Sequence, residues 1–321
     1  MHVRDFHNGC LVEQPLLVRS AFVRGREGDQ YLKLMLGDRT GSVAAILGEG
    51  IEEARERARP GTVVKVRGRF TDHEQSGPQL TVETLQAASE VDYDTAELVD
   101  GPSRSADQME ADLRELVATI QHPHLRRLLT VLLGDDAPRW LRFRDAPAAK
   151  HYHQAYRHGL LEHCLTVAQA VSATSATFPG IDRDIAVTGA LLHDIGKLEA
   201  YEVHGEAIEM SDSGRLYGEI PLGYYCVRRA IEDIDGFPGD VAGAVLHIIL
   251  SHHGSLAHGS PVIPCTREAT LVHMIDNLGG RLGSFDRIEK ELPAGQRWSG
   301  FDKGIGGGAF FAAAESEQRA A

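Results

Sequence analysis

Between Gln14 and Leu85, the chain runs in short stretches of β-branched and aliphatic residues broken by Gly, Asp and Pro. Short runs of this kind, bounded by turn formers, are the mark of strands and turns. It predicts strands at Leu16–Arg24, Tyr31–Leu36, Ser42–Leu47, Thr62–Phe70 and Gln79–Leu85, with one helical insert, Ile51–Arg59, between the third and fourth. The run Gly37-Asp38-Arg39-Thr40-Gly41 predicts a tight hairpin. Residues 90–105 carry neither strand nor helix periodicity and read as a linker. Beyond them the apolar spacing turns helical: Ala106–Ile120, His124–Leu133, Trp140–Phe143, Leu160–Thr174, Asp184–Leu192, Gly223–Ile234, Asp240–Ser251 and Thr266–Leu278. Asp182 or Asp184 and Asp240 suit N-caps, and Gly254 suits a stop. The end, with Gly306-Gly307-Gly308 and many alanines, has little pattern and is expected to be partly mobile.

These elements imply a multidomain chain, an N-terminal all-β barrel followed by an all-α helical bundle. The expected boundaries are 1–89 for the barrel, 90–105 for an acidic linker, 106–293 for the bundle and 294–321 for a Gly/Ala-rich tail. Five strands with a helix between the third and fourth is the order of an OB-fold, whose open face commonly binds single-stranded nucleic acid, although other small barrels share such strands.

The 321 residues leave room for two ordinary domains and a core that needs no covalent staples. No apolar stretch approaches the roughly 20 residues that span a bilayer, and the start lacks the apolar region of a secretory signal. The chain reads as cytoplasmic, with no membrane partner. Its four cysteines, Cys10, Cys164, Cys226 and Cys265, form no CxxC pair and read as buried, small, apolar side chains in a reducing compartment. A net charge of -13 argues at first against a nucleic-acid partner. The distribution changes that picture. Residues 1–89 hold 12 basic and 12 acidic side chains, whereas residues 90–112 hold 8 acids and one Arg. A neutral barrel leaves room for a basic groove.

Histidine carries the chemistry. Of 16 in the chain, 11 lie between His151 and His273, several beside another metal-binding type: His193-Asp194, His252-His253 and the nearby Asp276. A single helical His is usually structural; this density is not. His151, His158 and His258 read as surface residues and His247 as structural. Imidazole with carboxylate and no thiolate suits Mn, Fe, Co, Ni or Zn in a catalytic site. Neighbours His193 and Asp194 differ by about 100° around a helix and can reach one ion between them. Lys197, at i+4 from His193, would share its face and meet a phosphate beside the ion.

Leu192-His193-Asp194-Ile195-Gly196-Lys197, with Gly159-Leu160-Leu161-Glu162-His163 before it and Asp276 after, resembles the HD-domain metal-dependent phosphohydrolases. Pro147-Ala148-Ala149-Lys150, the segment Gly214–Gly223, Leu250-Ser251-His252-His253-Gly254 and Gly259-Ser260-Pro261 narrow this to the bacterial 3′→5′ exoribonucleases of the YhaM type, which join an OB-fold to an HD domain. The resemblance implies that His163, His193, Asp194 and Asp276 hold the principal metal. In two-metal members the first His of the His-His pair and a His in Gly-His-Ile bind a second ion. Here His252 and His253 are present, but the other position reads Gly218-Glu219-Ile220. Glu219 either ligates as a carboxylate, which favours manganese among the metals named above, or is a solvated turn residue, so one or two ions stay open. Gly279 stands where the family often has an acid. His153 and Lys197 are the candidates for substrate phosphate, with Asp194 also catalytic.

In the barrel, Arg24, Lys33, Lys65, Arg67 and Arg69 offer charge to a nucleic-acid backbone, and Phe22, Tyr31 and Phe70 offer rings for bases. Alternation along Lys65-Val66-Arg67-Gly68-Arg69 puts three bases on one strand face, which is either a phosphate track or a solvated surface. The expected function is a metal-dependent 3′→5′ exoribonuclease that shortens single-stranded RNA, and DNA as an alternative, by attack of a metal-activated water, releasing nucleoside 5′-monophosphates. Two rivals stand beside it: an HD phosphohydrolase of cyclic or free nucleotides, and a nucleic-acid-binding protein with a decayed HD site. Homo-oligomerisation is left open.

Overall fold

The computed structural model describes residues 1–321 except 26–29, 74–76, 90, 99–100, 103, 151–153, 205–206, 293–295 and 313–321. Contacts divide the chain into two compact units: Met1–Asp100 with Val203–Ala207 and Ser284–Ala321, and Gly101–Glu202 with Ile208–Gly283.

Strands β1 (Leu11–Arg24), β2 (Tyr31–Asp38) and β3 (Gly41–Leu47), helix α1 (Ile51–Arg57), and strands β4 (Val63–His73) and β5 (Gly77–Ala87) build the first unit's barrel. It closes in the order β1-β2-β3-β5-β4, with β4 returning to β1. All pairings are antiparallel except β3 with β5. That order, with α1 between β3 and β4, is the OB arrangement. β1 is long enough to serve two neighbours: Leu11–Leu17 pairs with β4, and Leu17–Arg24 with β2. Alternate residues point inward, so Val12, Leu16, Leu32, Leu34, Leu36, Val64, Val66 and Leu80 are fully buried, and Ala54 and Ala58 join them at α1. The β2–β3 turn is fastened by Asp38, whose carboxylate accepts from the Val3 and Thr40 amides at 2.7 Å each and from the Thr40 hydroxyl at 2.6 Å. At the β4 bulge only glycine fits: a Cβ on Gly68 would sit 2.3 Å from the Thr81 carbonyl oxygen.

The acidic stretch expected to be featureless contains one helical turn, α2 (Thr95–Leu98), which docks on the β2–β3 hairpin. The Arg39 amide donates to the Glu97 carbonyl at 3.1 Å, the Arg39 guanidinium lies 3.2 Å from the Glu97 carboxylate, and Leu98 is buried. A four-residue turn is too short to leave a helical period in the sequence.

Helices α3 (Ala106–Ala118), α4 (Pro123–Leu133), α5 (Trp140–Asp145), α6 (Gly159–Ser175), α7 (Arg183–Leu192) and α8 (Lys197–Ala200) follow. A hairpin of β6 (Tyr201–His204) and β7 (Ala207–Met210) comes next, then α9 (Asp212–Tyr217), α10 (Glu219–Glu232), α11 (Gly239–Ser251) and α12 (Arg267–Glu291). Ser105 caps α3 with a capping box to Gln108, and Asp182 caps α7 through the Ile185 amide at 3.1 Å. Asp240, read as a cap, lies instead in the first turn of α11, where Pro238 takes the N-cap position. α6, α7 and α11 form the core, with Leu160, Leu161, Leu165, Val187, Leu191, Ile248 and Ile249 buried. Gly189 allows the close approach of α7 and α11, since a Cβ there would meet Ile248 Cδ1 at 2.3 Å.

Two expectations are corrected here. The segment read as all-α is helical apart from the β6–β7 hairpin, whose strands of four residues fall below what alternation can reveal. The tail read as patternless contains a second hairpin, β8 (Trp298–Asp302) with β9 (Gly307–Phe310). Side chains hold it rather than a long ladder. The Trp298 and Phe310 rings are 5.0 Å apart, the Arg297 guanidinium lies 4.6 Å over Phe310, and Asp302 accepts from the Gly304 amide at 2.8 Å and from Arg287 at 2.5 Å. Among the described residues no helix is long and apolar enough to cross a membrane.

Candidate metal centre

Five elements of the second unit bring their side chains to one place. α6 contributes His163; the turn between α7 and α8 contributes His193 and Asp194; Glu219 opens α10; His252 and His253 follow the last turn of α11; and Asp276 lies on α12. His193 and Asp194 do not sit within a helix, as the sequence reading assumed. α7 stops at Leu192, and the segment to Gly196 is a tight turn with i to i+3 bonds, Ile195 to Leu192 and Lys197 to Asp194. Gly196 lets this turn lie close to its neighbour. A Cβ there would lie 2.0 Å from the Glu219 carbonyl oxygen and 2.5 Å from the Gly223 amide, so the turn passes directly against α10.

The side chains fall into two groups. In the first, the ligand atoms of His163, His193 and Asp276 lie within 4.8 Å of one another; in the second, those of Asp194, Glu219, His252 and His253 do. Asp194 links them. Its Oδ2 is 3.3 Å from His163 Nε2 and 3.4 Å from His193 Nε2, while its Oδ1 is 3.5 Å from His252 Nε2. Asp276 Oδ1 is 3.1 Å from His163 Nε2, and Glu219 Oε1 is 3.4 Å from His253 Nε2. His163, His193, Asp194 and His252 are buried, whereas Asp276, Glu219 and His253 are half-buried and form the open side.

The donor set fits a cation. His193, His252 and His253 each place Nδ1 against a main-chain oxygen, of Ala190 at 2.7 Å, Ile249 at 2.8 Å and His258 at 2.9 Å, so the ring's Nδ1–H donates and its Nε2 lone pair faces the site. His163 Nε2 and His193 Nε2 then face each other at 3.1 Å with carboxylate oxygens beside them. Such a convergence of acceptors repels unless a proton or a metal ion lies among them. Asp194 Oδ1 and His252 Nε2 are buried and make no hydrogen bond among the described residues, the condition of atoms kept for a ligand.

The ionisation behaviour says the same. Burial alone lowers the pKa of His163, but its hydrogen bonds to Asp194 and Asp276 and their charges outweigh burial and push it up to about 9. Burial likewise raises Asp194 and Asp276, yet the neighbouring cationic groups hold both carboxyls below the usual range. Among the described residues Lys197 lies beside Asp194 and Glu219 while Asp276 lies beside His163, and divalent charge would take the proton's place on His163.

Lys197 was read as sharing a helix face with His193. Instead its ammonium is 3.5 Å from Asp194 Oδ1 and 3.1 Å from both oxygens of Glu219. Burial opposes its charge, but those carboxylates hold its pKa above the ordinary value. Sequence reasoning missed the role of His273, whose Nδ1 donates to the His252 carbonyl at 2.7 Å and whose ring fills the space left by Gly254, at φ +80°. The Gly254 stop was the available signal. His153 lies outside the described residues. His158, read as a surface residue, is half-buried and donates from Nδ1 to the Arg144 carbonyl at 2.8 Å. Cys164 alone is fully buried; Cys10 and Cys226 are half-buried and Cys265 is exposed, contrary to the reading of all four as buried.

On the barrel the candidate residues separate into two patches. Phe22 pairs across from Lys33 and Arg24 from Tyr31, and the Arg24 guanidinium lies 5.7 Å over the Phe22 ring. Phe22, Arg24 and Lys33 are exposed and Tyr31 is half-buried, so this is an open basic and aromatic surface. Lys65, Arg67 and Arg69 share an exposed face of β4. Arg67 lies between Glu13 at 4.0 Å and Glu83 at 3.7 Å, and Arg69 donates to the Gly9 carbonyl at 2.9 Å, so much of that charge is already engaged. Phe70 was read as a stacking ring. It points into the barrel, buried, with its ring 5.7 Å from that of Phe6. The alternation that exposes Arg69 buries Phe70.

Residues 160–280 match the HD domain. The 3′-5′ exoribonuclease YhaM of Geobacillus sp. (strain WCH70) is 30% identical over 293 residues, covering 90% of this chain and 88% of the relative. That of Bacillus subtilis (strain 168) is 28% identical over 292 residues, covering 90% of each chain. The second OB-fold domain of replication protein A from Methanococcus maripaludis aligns with 28% of this chain and 95% of that one, at 18% identity and a TM-score of 0.24. The assignment of the barrel rests on its strand order, not on that likeness.

Proposed function

Because the chain belongs to the family of the YhaM 3′-5′ exoribonucleases, we propose that it is a metal-dependent hydrolase that shortens single-stranded RNA from the 3′ end and releases nucleoside 5′-monophosphates. The observation that carries the reading is the joining of two ligand groups through Asp194, with Oδ2 turned to His163 and His193 and Oδ1 turned to His252. His163, His193, Asp194 and Asp276 would hold one ion, and Asp194, Glu219, His252 and His253 a second. A divalent ion there supplies Lewis acidity toward phosphoryl oxygens and lowers the pKa of water. The carboxylates of Asp194, Asp276 and Glu219 among imidazoles favour manganese over softer metals.

The remaining work falls to the chain's own side chains. Lys197, kept charged by Asp194 and Glu219, adds positive charge where negative charge grows on the phosphate in the transition state. His153 is assigned to the same phosphate from the segment before α6. On the barrel, Phe22 and Tyr31 offer rings to bases while Arg24 and Lys33 hold the backbone. Such contacts read no particular sequence and accept DNA as well as RNA.

The test is a 5′-labelled single-stranded RNA incubated with Mn2+ and wild type or Asp194→Ala, with products followed over time on a gel. A ladder shrinking from the 3′ end with wild type and absent with the variant is the expected result. Intact RNA, while bis-p-nitrophenyl phosphate is still hydrolysed, would transfer the assignment to a small-nucleotide phosphohydrolase. Failure to hydrolyse either, with no metal bound, would mark a binding protein with a decayed centre.

A further inference from the structure

We infer that Gln154 is the positioning residue that fixes the tautomer and aim of His163, an assignment that rests on the metal-centre reading above. Among the four histidines at the centre, His193, His252 and His253 are set by main-chain carbonyls. His163 is set by a side chain: its Nδ1 lies 3.1 Å from Gln154 Oε1. A ligating imidazole needs its other nitrogen held in this way, because that bond decides which nitrogen keeps the lone pair and where the ring points.

The direction of the Gln154 amide follows from its other end. Gln154 Nε2 is 3.1 Å from Glu162 Oε2, and a carboxylate only accepts, so that end carries the NH2 and the oxygen faces His163. The Tyr156 hydroxyl donates to the same Glu162 oxygen at 2.5 Å and holds the carboxylate in place. His163 therefore donates from Nδ1 and turns Nε2, the seat of the proton that a metal ion would replace, to His193, Asp194 and Asp276.

The backbone gives an independent argument. Gln154 has φ +57°, and the only other non-glycine residue with positive φ among those described is His158, at +69°, four residues on and directly before α6. Side chains with a Cβ adopt this region at a cost, Asn several-fold more readily than most and Gly freely. The conformation is clamped: the Gln154 carbonyl accepts from the Ala148 amide at 3.1 Å, and it passes so close to Gly159 that a Cβ there would lie 2.0 Å from the oxygen. For the fold alone Asn or Gly suits position 154 better. What Gln adds is one methylene of reach, which brings its amide to His163.

Full-length Gln154→Asn and Gln154→Leu, stripped of metal, are titrated with Mn2+ by calorimetry beside wild type, and their metal-free melting temperatures are measured. Asn tolerates the backbone but falls short of His163; Leu has the bulk without the acceptor. The expected result is a 10- to 100-fold weaker Mn2+ site in both variants, about the loss seen when a ligand's supporting partner is removed, with Gln154→Asn melting no lower than wild type. Affinities within twofold of wild type in both, or a loss confined to the variant that melts lower, would overturn the positioning role. If wild type itself takes up no Mn2+, the metal-centre reading falls and this assignment with it.

Discussion

Lys197 Nζ lies 3.1 Å from each of the two carboxylate oxygens of Glu219. The pair is mostly buried, and Glu219 also faces His253, so one carboxylate answers to a fixed cation on one side and to a candidate metal position on the other. Replacing Lys197 by Met removes a charge that phosphate would meet but leaves every candidate ligand in place. Turnover on RNA is expected to fall about 100-fold or more. Mn2+ affinity should hold or tighten, because Asp194 and Glu219 lose their competing partner. Steady-state rates and a Mn2+ titration of the same preparation check both halves; weaker Mn2+ binding would show that Lys197 supports the ligands instead.

Gly196 tests the geometry from the backbone. Its missing side chain lets the turn carrying Asp194 lie against the start of α10, where a Cβ would sit 2.0 Å from the Glu219 carbonyl. Gly196→Ala should push α10 outward, destabilise the protein by about 1–3 kcal/mol and weaken the group that includes Glu219. Denaturant unfolding and metal content after gel filtration read the two effects.

The barrel aromatics should part company on substitution. Phe22 is exposed and Phe70 is buried. Phe22→Ala is expected to cost RNA affinity by about 1–3 kcal/mol with stability unchanged. Phe70→Ala should cost about 3–5 kcal/mol of stability through the cavity it leaves. Fluorescence anisotropy with a short single-stranded RNA, paired with urea melts, separates them; equal affinity for wild type and Phe22→Ala would remove this face from the RNA site.

The metal-free protein should show its centre in a pH series. His163 rises from 6.5 to about 9 on folding, against burial and in favour of its bonds to Asp194 and Asp276. A folded pKa above the unfolded one means that the folded state binds the proton more tightly. This stabilisation is complete below pH 6.5 and is lost as pH climbs through about 9. Thermal melts with a chelator should therefore fall across that window, and melts with saturating Mn2+ should stay level, since the ion replaces the proton. Parallel curves would contradict the link between His163 and the ion.

The barrel and the helical core were legible because their signals are local. Strands of seven or more residues, such as Gly41–Leu47, repeat their alternation often enough to be read, and helices such as Gly159–Ser175 carry a whole apolar face. Short elements were not. The β6–β7 strands have four residues each, and Thr95–Leu98 and the β8–β9 hairpin are held by contacts such as Arg39 with Glu97 and Arg287 with Asp302, which join residues well separated in sequence. Phe70 was misread because its ring type suggests stacking, whereas its place in the alternation decides the side it faces.

The sequence by itself determined the residue types of the centre: histidines and carboxylates at His163, His193, Asp194, His252, His253 and Asp276, and a lone Glu219 among them. These are chemical identities, and no fold is needed to know that imidazole and carboxylate bind metals. Only the tertiary structure decided how they divide. That Asp194 turns one oxygen to each group, that Lys197 sits on Glu219, and that the Gln154 amide meets His163 Nδ1 depend on where separate elements meet. Residues tens of positions apart carry no periodicity that links them. Their relation is set by the packing of the α7–α8 turn against α10 at Gly196 and of α7 against α11 at Gly189, where absent side chains let the elements close.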